Sequence, residues 1–266
     1  MQLLELKHKW LSRGVAPAEL NEILLNVLDC EFGDLSVDKP ISRKDEAKID
    51  RSANRFLSGE PVSKIFHKAY FYGREFYVDN KVLSPRADTE NLVVEAIKIV
   101  KPSDHVLDMC TGTGAIGITV NLETGAFVTL ADISRHALAV AKKNAKRLGA
   151  RCELKRTNMF AHLGEKYNVI CCNPPYITPT EYESLDMGVK KYDPKLALVG
   201  GADGLAFYRE LAHSAHKYLL TDGALIMEIG YMQAQAVTDI FKQTGYTSVT
   251  VVKDLAGRDR VMIIKE

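Results

Sequence analysis

The strongest constraint on the fold is the alternation of short apolar runs with helical patterns from about residue 88 to the end of the chain. This alternation is typical of a parallel α/β sheet, because each crossover between parallel strands needs a dozen or more residues. The last two apolar runs are separated by little more than DLAGRD, so the seventh strand is expected to run antiparallel. The predicted strands are His105–Cys110, Phe127–Asp132, Cys152–Arg156, Asn168–Cys172, Ala224–Ile229, Thr247–Val252 and Arg260–Lys265.

Before residue 88 the sequence shows helical patterns followed by a segment that is typical of β-strands. Apolar residues at helical spacing over Leu20–Leu28, preceded by Pro17, predict one helix, and Ser42 is a suitable N-cap for another. Residues 64–83 are rich in aromatic and β-branched side chains around Gly73, which predicts a hairpin. A length of 266 residues suits either one large domain or one medium domain with a small companion, and the change of pattern favours the second. We therefore expect a helical substrate-recognition domain over 1–60, a β-hairpin linker over 61–87 and the α/β domain over 88–266.

Composition excludes several classes of protein. The chain has 35 Lys and Arg against 34 Asp and Glu, and its first 75 residues contain 12 of each kind. This balance argues against a polycationic clamp for nucleic acid, although it does not exclude nucleic acid. No apolar run is long enough to span a membrane, and the first residues lack the apolar core of a signal peptide, so we expect a soluble cytoplasmic protein. Five cysteines without a C-x-x-C pair and seven scattered histidines predict neither disulfides nor a metal site.

The segment from Asp108 to Ile116 ends the first predicted strand and begins a helix. Its glycines allow a ligand to approach the backbone, and the helix N-terminus presents free N–H groups. Asp132 ends the second predicted strand, where its carboxylate can accept hydrogen bonds from ribose hydroxyls. Together these residues indicate a cofactor that contains adenosine. Gly117 completes a G-x-G-x-x-G spacing, so the loop alone leaves NAD open, and a tight turn plus an exposed acid would explain each part separately.

The sequence Asn173-Pro174-Pro175-Tyr176 follows the fourth predicted strand, at the edge where open α/β sheets bind ligands. A planar amide or exocyclic amine is a poor nucleophile because its nitrogen lone pair is delocalised. If the Asn173 side-chain oxygen and the Pro174 carbonyl each accept one N–H, that lone pair can be directed at a methyl sulfonium. Tyr176 offers an aromatic face to a planar acceptor. The motif thus favours methyl transfer over NAD chemistry, the alternative being a Pro-Pro turn that ends a buried strand.

These motifs resemble the class I S-adenosylmethionine-dependent methyltransferases of the amino or amide type. That class includes DNA adenine-N6 and cytosine-N4, RNA guanine-N2 and protein glutamine-N5 enzymes, which the NPPY sequence does not separate. Further segments, from about residue 59 to the end, make the chain similar to the release-factor glutamine methyltransferase family (HemK/PrmC). The segments are Ser84 to Glu90, NPPY with Ile177, Gly200 to Leu205, Glu228 to Gln233, and Asp254 to Val261.

The resemblance implies a seven-stranded methyltransferase fold, S-adenosylmethionine as cofactor and methylation of the glutamine in the Gly-Gly-Gln loop of peptide chain release factors. A nucleic-acid amino-methyltransferase and a non-catalytic S-adenosylmethionine-binding protein remain alternatives, and neither a membrane nor direct nucleic-acid contact is expected. Arg86 and Thr89 can shape the cofactor pocket, or can form an ion pair and a helix cap. The implied cofactor residues are Asp108, Cys110, Thr111, Gly112, Thr113, Gly114, Asp132, Asn158, Met159 and Asn173. The implied substrate residues are Asn173, Pro174, Pro175 and Tyr176, of which Asn173, Pro174 and Tyr176 are expected to be catalytic.

Two of these positions depart from the family pattern. Cys110 stands where the family usually has the first glycine of its cofactor loop, which is expected to alter the packing of that loop. Met159 stands where an aromatic residue that contacts adenine is common, so the adenine contact is expected to differ at this position. Direct methyl transfer requires no enzyme nucleophile, so Cys110 is not expected to act as one.

Overall fold

The computed structural model describes residues 1–265 and divides the chain into two compact units. The first unit contains Met1–Lys68 together with Asp186–Tyr192, a segment from much later in the chain. The second unit contains Ala69–Leu185 and the described residues from Asp193 onward. The boundary near the N-terminus therefore falls between Lys68 and Ala69, and most of the hairpin belongs to the second unit.

The first unit is helical. Pro17 occupies the first turn of the second helix, and Ser42 caps the third helix by accepting a 3.1 Å hydrogen bond from the Asp45 amide, so both predicted helix starts are confirmed. The core includes Trp10, whose indole N–H donates to Asp50 Oδ1 at 2.9 Å. With helices numbered along the chain, this unit contains α1 (Leu3–Leu11), α2 (Pro17–Leu28), α3 (Arg43–Leu57), α4 (Val62–Phe66) and α9 (Met187–Tyr192).

The hairpin predicted over residues 64–83 is present but shorter. It consists of β1 (Lys68–Phe71) and β2 (Arg74–Tyr77), which meet at Gly73 with φ +71°. The residues before β1 were wrongly assigned to the hairpin, because α4 extends to Phe66 and ends at His67, which has φ +56°. Val62 and Ile65 are buried at the three-residue spacing of a helical turn, but a segment this short does not carry enough apolar positions to distinguish a helix from a strand.

All seven predicted strands of the large sheet are confirmed. They occur in the spatial order β5-β4-β3-β6-β7-β9-β8, and β9 runs antiparallel to both of its neighbours. One boundary differs, because β7 begins five residues before the predicted Ala224. The residues Leu220 to Asp222 are exposed, so the apolar pattern does not reveal this part of the strand. The strands are β3 (His105–Met109), β4 (Phe127–Asp132), β5 (Cys152–Arg156), β6 (Tyr167–Cys172), β7 (Leu219–Glu228), β8 (Ser248–Lys253) and β9 (Asp259–Lys265).

Helices cover both faces of this sheet. Successive residues of β3 belong to different apolar clusters, with Val106 in one and Leu107 in the other. This follows from the two-residue period of a strand, which points neighbouring side chains to opposite faces of the sheet. Among residues 1–265, no helix is long and apolar enough to cross a membrane. The helices of the second unit are α5 (Ala87–Ile99), α6 (Ala115–Thr124), α7 (Arg135–Leu148), α8 (Pro179–Ser184), α10 (Ala206–Ser214) and α11 (Ala234–Gln243).

The topology brings two motif-bearing loops together. Strand β3 lies between β4 and β6, and Met109 at its end pairs with Cys172 at the end of β6. The chain leaves β3 towards β4 on one side and later returns to β6 on the other. Open α/β sheets bind ligands in the crevice at such a switch point. The glycine-rich loop after β3 and the NPPY loop after β6 therefore begin at adjacent positions of the same sheet edge.

Replacing Gly117 with Ala tests the packing of α6 against this edge. An added Cβ would collide with the Leu130 side chain and lie 2.8 Å from Asp108 Cβ. We expect Gly117→Ala to lower the free energy of unfolding by about 1–3 kcal/mol because of this overpacking. Urea unfolding measures the change. Gly164→Ala is the control, since its Cβ would meet nothing within 4 Å. Equal stability of the two variants would contradict the packing described.

Candidate active site

The loop after β3 has an unusual backbone. Cys110, Gly112 and Gly114 have φ values of +59°, +55° and +83°, in the region that favours glycine. The Thr111 amide donates to the Ala131 carbonyl at 3.0 Å, which ties the loop to the end of β4. Glycine suits position 114 because of its positive φ, and a Cβ there would also lie 2.6 Å from Ile118 Cδ1 and 3.2 Å from Ala141 Cβ. Cys110 adopts a left-handed conformation at the position where the family usually has glycine.

Asp108 lies beneath this loop. Its Oδ2 accepts hydrogen bonds from Thr111 Oγ1 at 2.5 Å and from the Gly117 amide at 2.9 Å. Its Oδ1 has no hydrogen-bond partner among the described residues, and the side chain is fully buried. Burial raises the pKa of this carboxyl from 3.8 to about 7, although both hydrogen bonds act to lower it. Asp108 therefore organises the loop from below and does not line the cavity above it.

A cavity lies above the sheet edge in the second unit. Asp132 lies on its wall and accepts hydrogen bonds from the Gly112 amide at 2.9 Å and the Ser134 amide at 2.8 Å. Burial raises the pKa of this carboxyl, while the two amide donors lower it. Ile133 and Phe207 supply apolar walls. The sequence-predicted residues that line the cavity are Arg86, Thr89, Cys110, Thr111, Gly112, Thr113, Asp132, Asn158, Met159, Asn173 and Pro175. Those that do not line it are Asp108, Gly114, Pro174 and Tyr176.

The NPPY side chains are held by one buried acid. Asn173 Nδ2 donates to Glu228 Oε2 at 2.9 Å and to Thr89 Oγ1 at 3.1 Å. The Thr89 hydroxyl donates in turn to Glu228 Oε2 at 2.6 Å, and Tyr176 Oη donates to Glu228 Oε1 at 3.1 Å. Of the two roles considered for Thr89, the helix cap is wrong, because Thr89 lies within the first turn of α5, and its side chain instead lies at the cavity. Three side chains thus donate hydrogen bonds to the Glu228 carboxylate.

The charge of Glu228 is compensated by its surroundings. Burial raises the pKa of this carboxyl, whereas the hydrogen bonds from Thr89 and Tyr176 and the charge of Arg260 lower it. Arg260 is itself buried, and its Nη2 lies 3.2 Å from Asp88 Oδ2 and 3.3 Å from Asp254 Oδ2. Burial is the largest of these effects, so the net pKa of Glu228 is raised, while its three hydrogen-bond donors and the guanidinium favour the ionised form. Burial and the charge of Glu228 also raise the pKa of Tyr176, which favours the neutral phenol.

Two glycines and one amide hold the backbone of the NPPY loop. A Cβ on Gly200 would collide with the Pro175 carbonyl oxygen, and one on Gly204 would collide with the Tyr176 carbonyl oxygen. Gln233 Nε2 donates to the same Tyr176 carbonyl at 2.9 Å. The Gly200–Gly204 segment therefore packs directly on the NPPY backbone. Sequence motifs that are far apart along the chain meet around this one loop.

The sequence contains a sign that Glu228 is an organising residue, although Glu228 belongs to none of the predicted sites. Glu228 is the only charged residue in the apolar run ALIMEI, as Asp108 is in HVLDMC. An acid inside a buried strand needs hydrogen-bond donors or a compensating charge, so both residues could have been identified as organising groups. Their donors come from other parts of the chain. Only the folded structure shows which residues these are.

Comparisons with known proteins first define the class. Residues 87–187 match the profile of the family described as "Methyltransferase small domain". A solved structure of a methyltransferase from Pyrococcus furiosus superposes with a TM-score of 0.59, covering 81% of this chain and 98% of that chain, at 16% identity. This likeness shows the fold. The sheet with its antiparallel last strand is therefore the methyltransferase fold that the resemblance implied.

Two curated relatives then define the family. A protein from Neisseria gonorrhoeae named "Release factor glutamine methyltransferase" is 40% identical over 222 residues, which cover 82% of this chain and 81% of the relative. A protein of the same name from Thermodesulfovibrio yellowstonii is 35% identical over 260 residues, covering 93% of this chain and 92% of the relative. This chain belongs to the release factor glutamine methyltransferase family.

The raised pKa of Asp108 predicts how stability depends on pH. Between about pH 4 and pH 7 the folded protein keeps a proton on this carboxyl that the unfolded chain has released. The free energy of unfolding should therefore fall as pH rises through this window, and Asp108→Asn should remove on the order of 1–3 kcal/mol of that fall. Urea unfolding at pH 5 and pH 8 measures it, with the exposed Asp239→Asn as control. The same pH dependence in all three proteins would contradict the assignment.

Proposed function

We propose that this chain transfers a methyl group from S-adenosylmethionine to the side-chain amide nitrogen (N5) of the glutamine in the Gly-Gly-Gln motif of peptide chain release factors. The names of its relatives support the substrate. The observation that carries the chemistry is the orientation of Asn173. Because Nδ2 is bound to Glu228 and Thr89, Oδ1 is the side-chain atom that remains to accept an N–H from a ligand in the cavity.

The cavity suits S-adenosylmethionine in the chemistry of its walls. Asp132 presents a carboxylate for ribose hydroxyls, and Gly112 has open space where a Cβ would be, so its backbone can be approached closely. Asn158 and Met159 are proposed to contact the adenine, and Thr111 to Gly114 to contact the rest of the cofactor near the N-terminus of α6. When bound, S-adenosylmethionine supplies an electrophilic methyl group on a sulfonium, and it leaves as S-adenosylhomocysteine.

The residues of the NPPY loop are proposed to prepare the amide nitrogen for attack. Asn173 Oδ1 and the Pro174 carbonyl each accept one of its two N–H bonds, which orients the nitrogen and reduces the delocalisation of its lone pair. The ring of Tyr176 packs against the planar amide. The nitrogen forms a bond to the methyl carbon as the carbon–sulfur bond breaks with its electron pair on sulfur. The methylated nitrogen then releases a proton to water, which needs no strong base because a protonated amide is very acidic.

The partner is proposed to be the folded release factor, in the cytoplasm, with residues 1–60 providing part of the recognition surface. Equal numbers of acidic and basic residues in the first 75 positions support a protein partner over nucleic acid. The direct test incubates the chain and labelled S-adenosylmethionine with a release factor, with the same factor carrying Ala for the loop glutamine, or with DNA. We expect label only in the unmodified factor. Label in DNA, or equal labelling of both factors, would overturn the proposal.

Asn173→Ala tests the assigned orienting role. Because the substituted side chain can no longer accept an N–H from the substrate, we expect kcat to fall by about 10²–10³-fold, the range seen when one oriented hydrogen bond to a reacting group is removed. The Kd of S-adenosylmethionine should change by less than about threefold. Steady-state kinetics and calorimetry measure the two quantities. Comparable losses in kcat and cofactor affinity would show that Asn173 serves the cofactor site instead.

A further inference from the structure

The side chain of Asn173 can occupy its site in two orientations that differ in chemistry. Rotating a carboxamide by 180° exchanges its donor NH2 with its acceptor oxygen while hardly changing its shape. With NH2 towards Glu228, as observed, Oδ1 is left for a substrate N–H. In the opposite orientation NH2 would face the substrate, and the site would match an acceptor such as a carboxylate. The group that decides between these orientations therefore decides which substrate side chain fits.

Both neighbours of Asn173 Nδ2 are acceptors. Glu228 Oε2, at 2.9 Å, accepts hydrogen bonds from both the Thr89 hydroxyl and the Asn173 amide, so it acts as an acceptor in this arrangement. Thr89 has one hydroxyl proton, and its 2.6 Å hydrogen bond to Glu228 uses it, so Thr89 Oγ1 can only accept from Asn173. A rotated carboxamide would place its oxygen against two acceptor oxygens in a buried setting. Unpaired and repelling polar atoms of this kind are costly.

Two features favour the accepting state of Glu228. Tyr176 Oη donates to its second oxygen at 3.1 Å, so the two carboxylate oxygens together accept three hydrogen bonds. The positive charge of the buried Arg260 opposes the effect of burial on the pKa of Glu228. A ligand that presents only acceptors to Asn173 Oδ1 is therefore disfavoured by hydrogen bonding.

We infer that Glu228 is a positioning residue that sets the polarity of Asn173 and thereby makes the site select a neutral carboxamide side chain over a carboxylate. This inference rests on the proposed function, since it concerns how the same site distinguishes glutamine from glutamate. Glutamate has the same length as glutamine but offers acceptors where the site needs N–H donors. A site built to pair a substrate N–H rejects the analogue that lacks it much more strongly than shape alone can.

Glu228→Gln separates this role from simple support of the fold. The new side chain has nearly the same size, but its amide can donate a hydrogen bond to Asn173 Oδ1. The rotated carboxamide then becomes acceptable, and Nδ2 can face the substrate. We expect kcat on the release factor to fall by at least about 30-fold, while the Kd of S-adenosylmethionine changes by less than about threefold, which corresponds to less than about 0.7 kcal/mol.

The decisive measurement is the ratio of two Kd values, one for a release factor with glutamine in its loop and one for the same factor with glutamate there. The full chain, with S-adenosylhomocysteine present, is titrated by calorimetry with a release factor and with the same factor carrying Glu for the loop glutamine. The wild-type chain should bind the glutamine factor more tightly, and Glu228→Gln should shift the ratio of the two Kd values at least about tenfold towards the glutamate factor. An unchanged ratio, with both affinities reduced together, would overturn the inference and leave Glu228 a purely structural residue.

Matched variants control for folding and charge. Glu228→Asp keeps the carboxylate and should keep the glutamine preference even if kcat falls. Glu153→Gln makes the same chemical change at an exposed position of the edge strand β5 and should leave both kcat and the ratio unchanged. If Glu228→Gln does not fold, Thr89→Val is the replacement test. It removes one of the two acceptors beside Asn173 Nδ2 and should shift the ratio of Kd values a few-fold. Thr89→Ser keeps the hydroxyl and should leave this ratio unchanged. An unchanged ratio in folded Thr89→Val would then overturn the inference.

The two proposals fail in different ways. If the wild-type chain does not methylate the release factor at all, the proposed function is wrong. If the wild-type chain methylates the factor but Glu228→Gln leaves the ratio of Kd values unchanged, only the role of Glu228 is wrong.

Discussion

The Glu228 carboxylate accepts hydrogen bonds from Thr89, Asn173 and Tyr176, which come from α5 and from the loop after β6. Each contact is ordinary by itself, but together they connect distant parts of the chain at one buried point. Removing water from a carboxylate is costly, so the fold has to supply these donors at the end of β7. The same requirement fixes the carboxamide that is proposed to bind the substrate. Stability of the sheet edge and orientation of the site therefore depend on the same interaction.

The sheet topology explains why the site forms at this point. Strands β3 and β6 are neighbours, so the cofactor loop and the NPPY loop start side by side, although more than 60 residues separate them. Strand β7 pairs with β6 and brings Glu228 to the same edge, and β9 brings Arg260 beside it. The Gly200–Gly204 segment and Gln233 then hold the NPPY backbone. A parallel sheet thus gathers several motifs at one edge without any of them being adjacent in sequence.

The sequence predicted the sheet well because buried parallel strands are nearly continuous apolar runs with helices between them. It did not predict the exposed beginning of β7, and it assigned the end of α4 to the hairpin, because a run of only a few apolar residues does not distinguish a helical turn from a short strand. The motifs did single out Asp132 and Asn173, which both lie at the cavity. The partners of Glu228 could not be, because hydrogen bonds over 50 to 140 residues depend on tertiary structure that no local pattern encodes.

The central claim is that the reaction forms a bond between the methyl carbon and the side-chain nitrogen of one glutamine. The most direct measurement uses a release factor with ¹⁵N in its glutamine side chains and S-adenosylmethionine with ¹³C in its methyl group, followed by NMR of the product. The account predicts a one-bond ¹³C–¹⁵N coupling at a single side-chain amide, which disappears when the glutamine of the Gly-Gly-Gln motif is replaced. A ¹³C methyl signal without this coupling, or a coupling that survives the replacement, would contradict it.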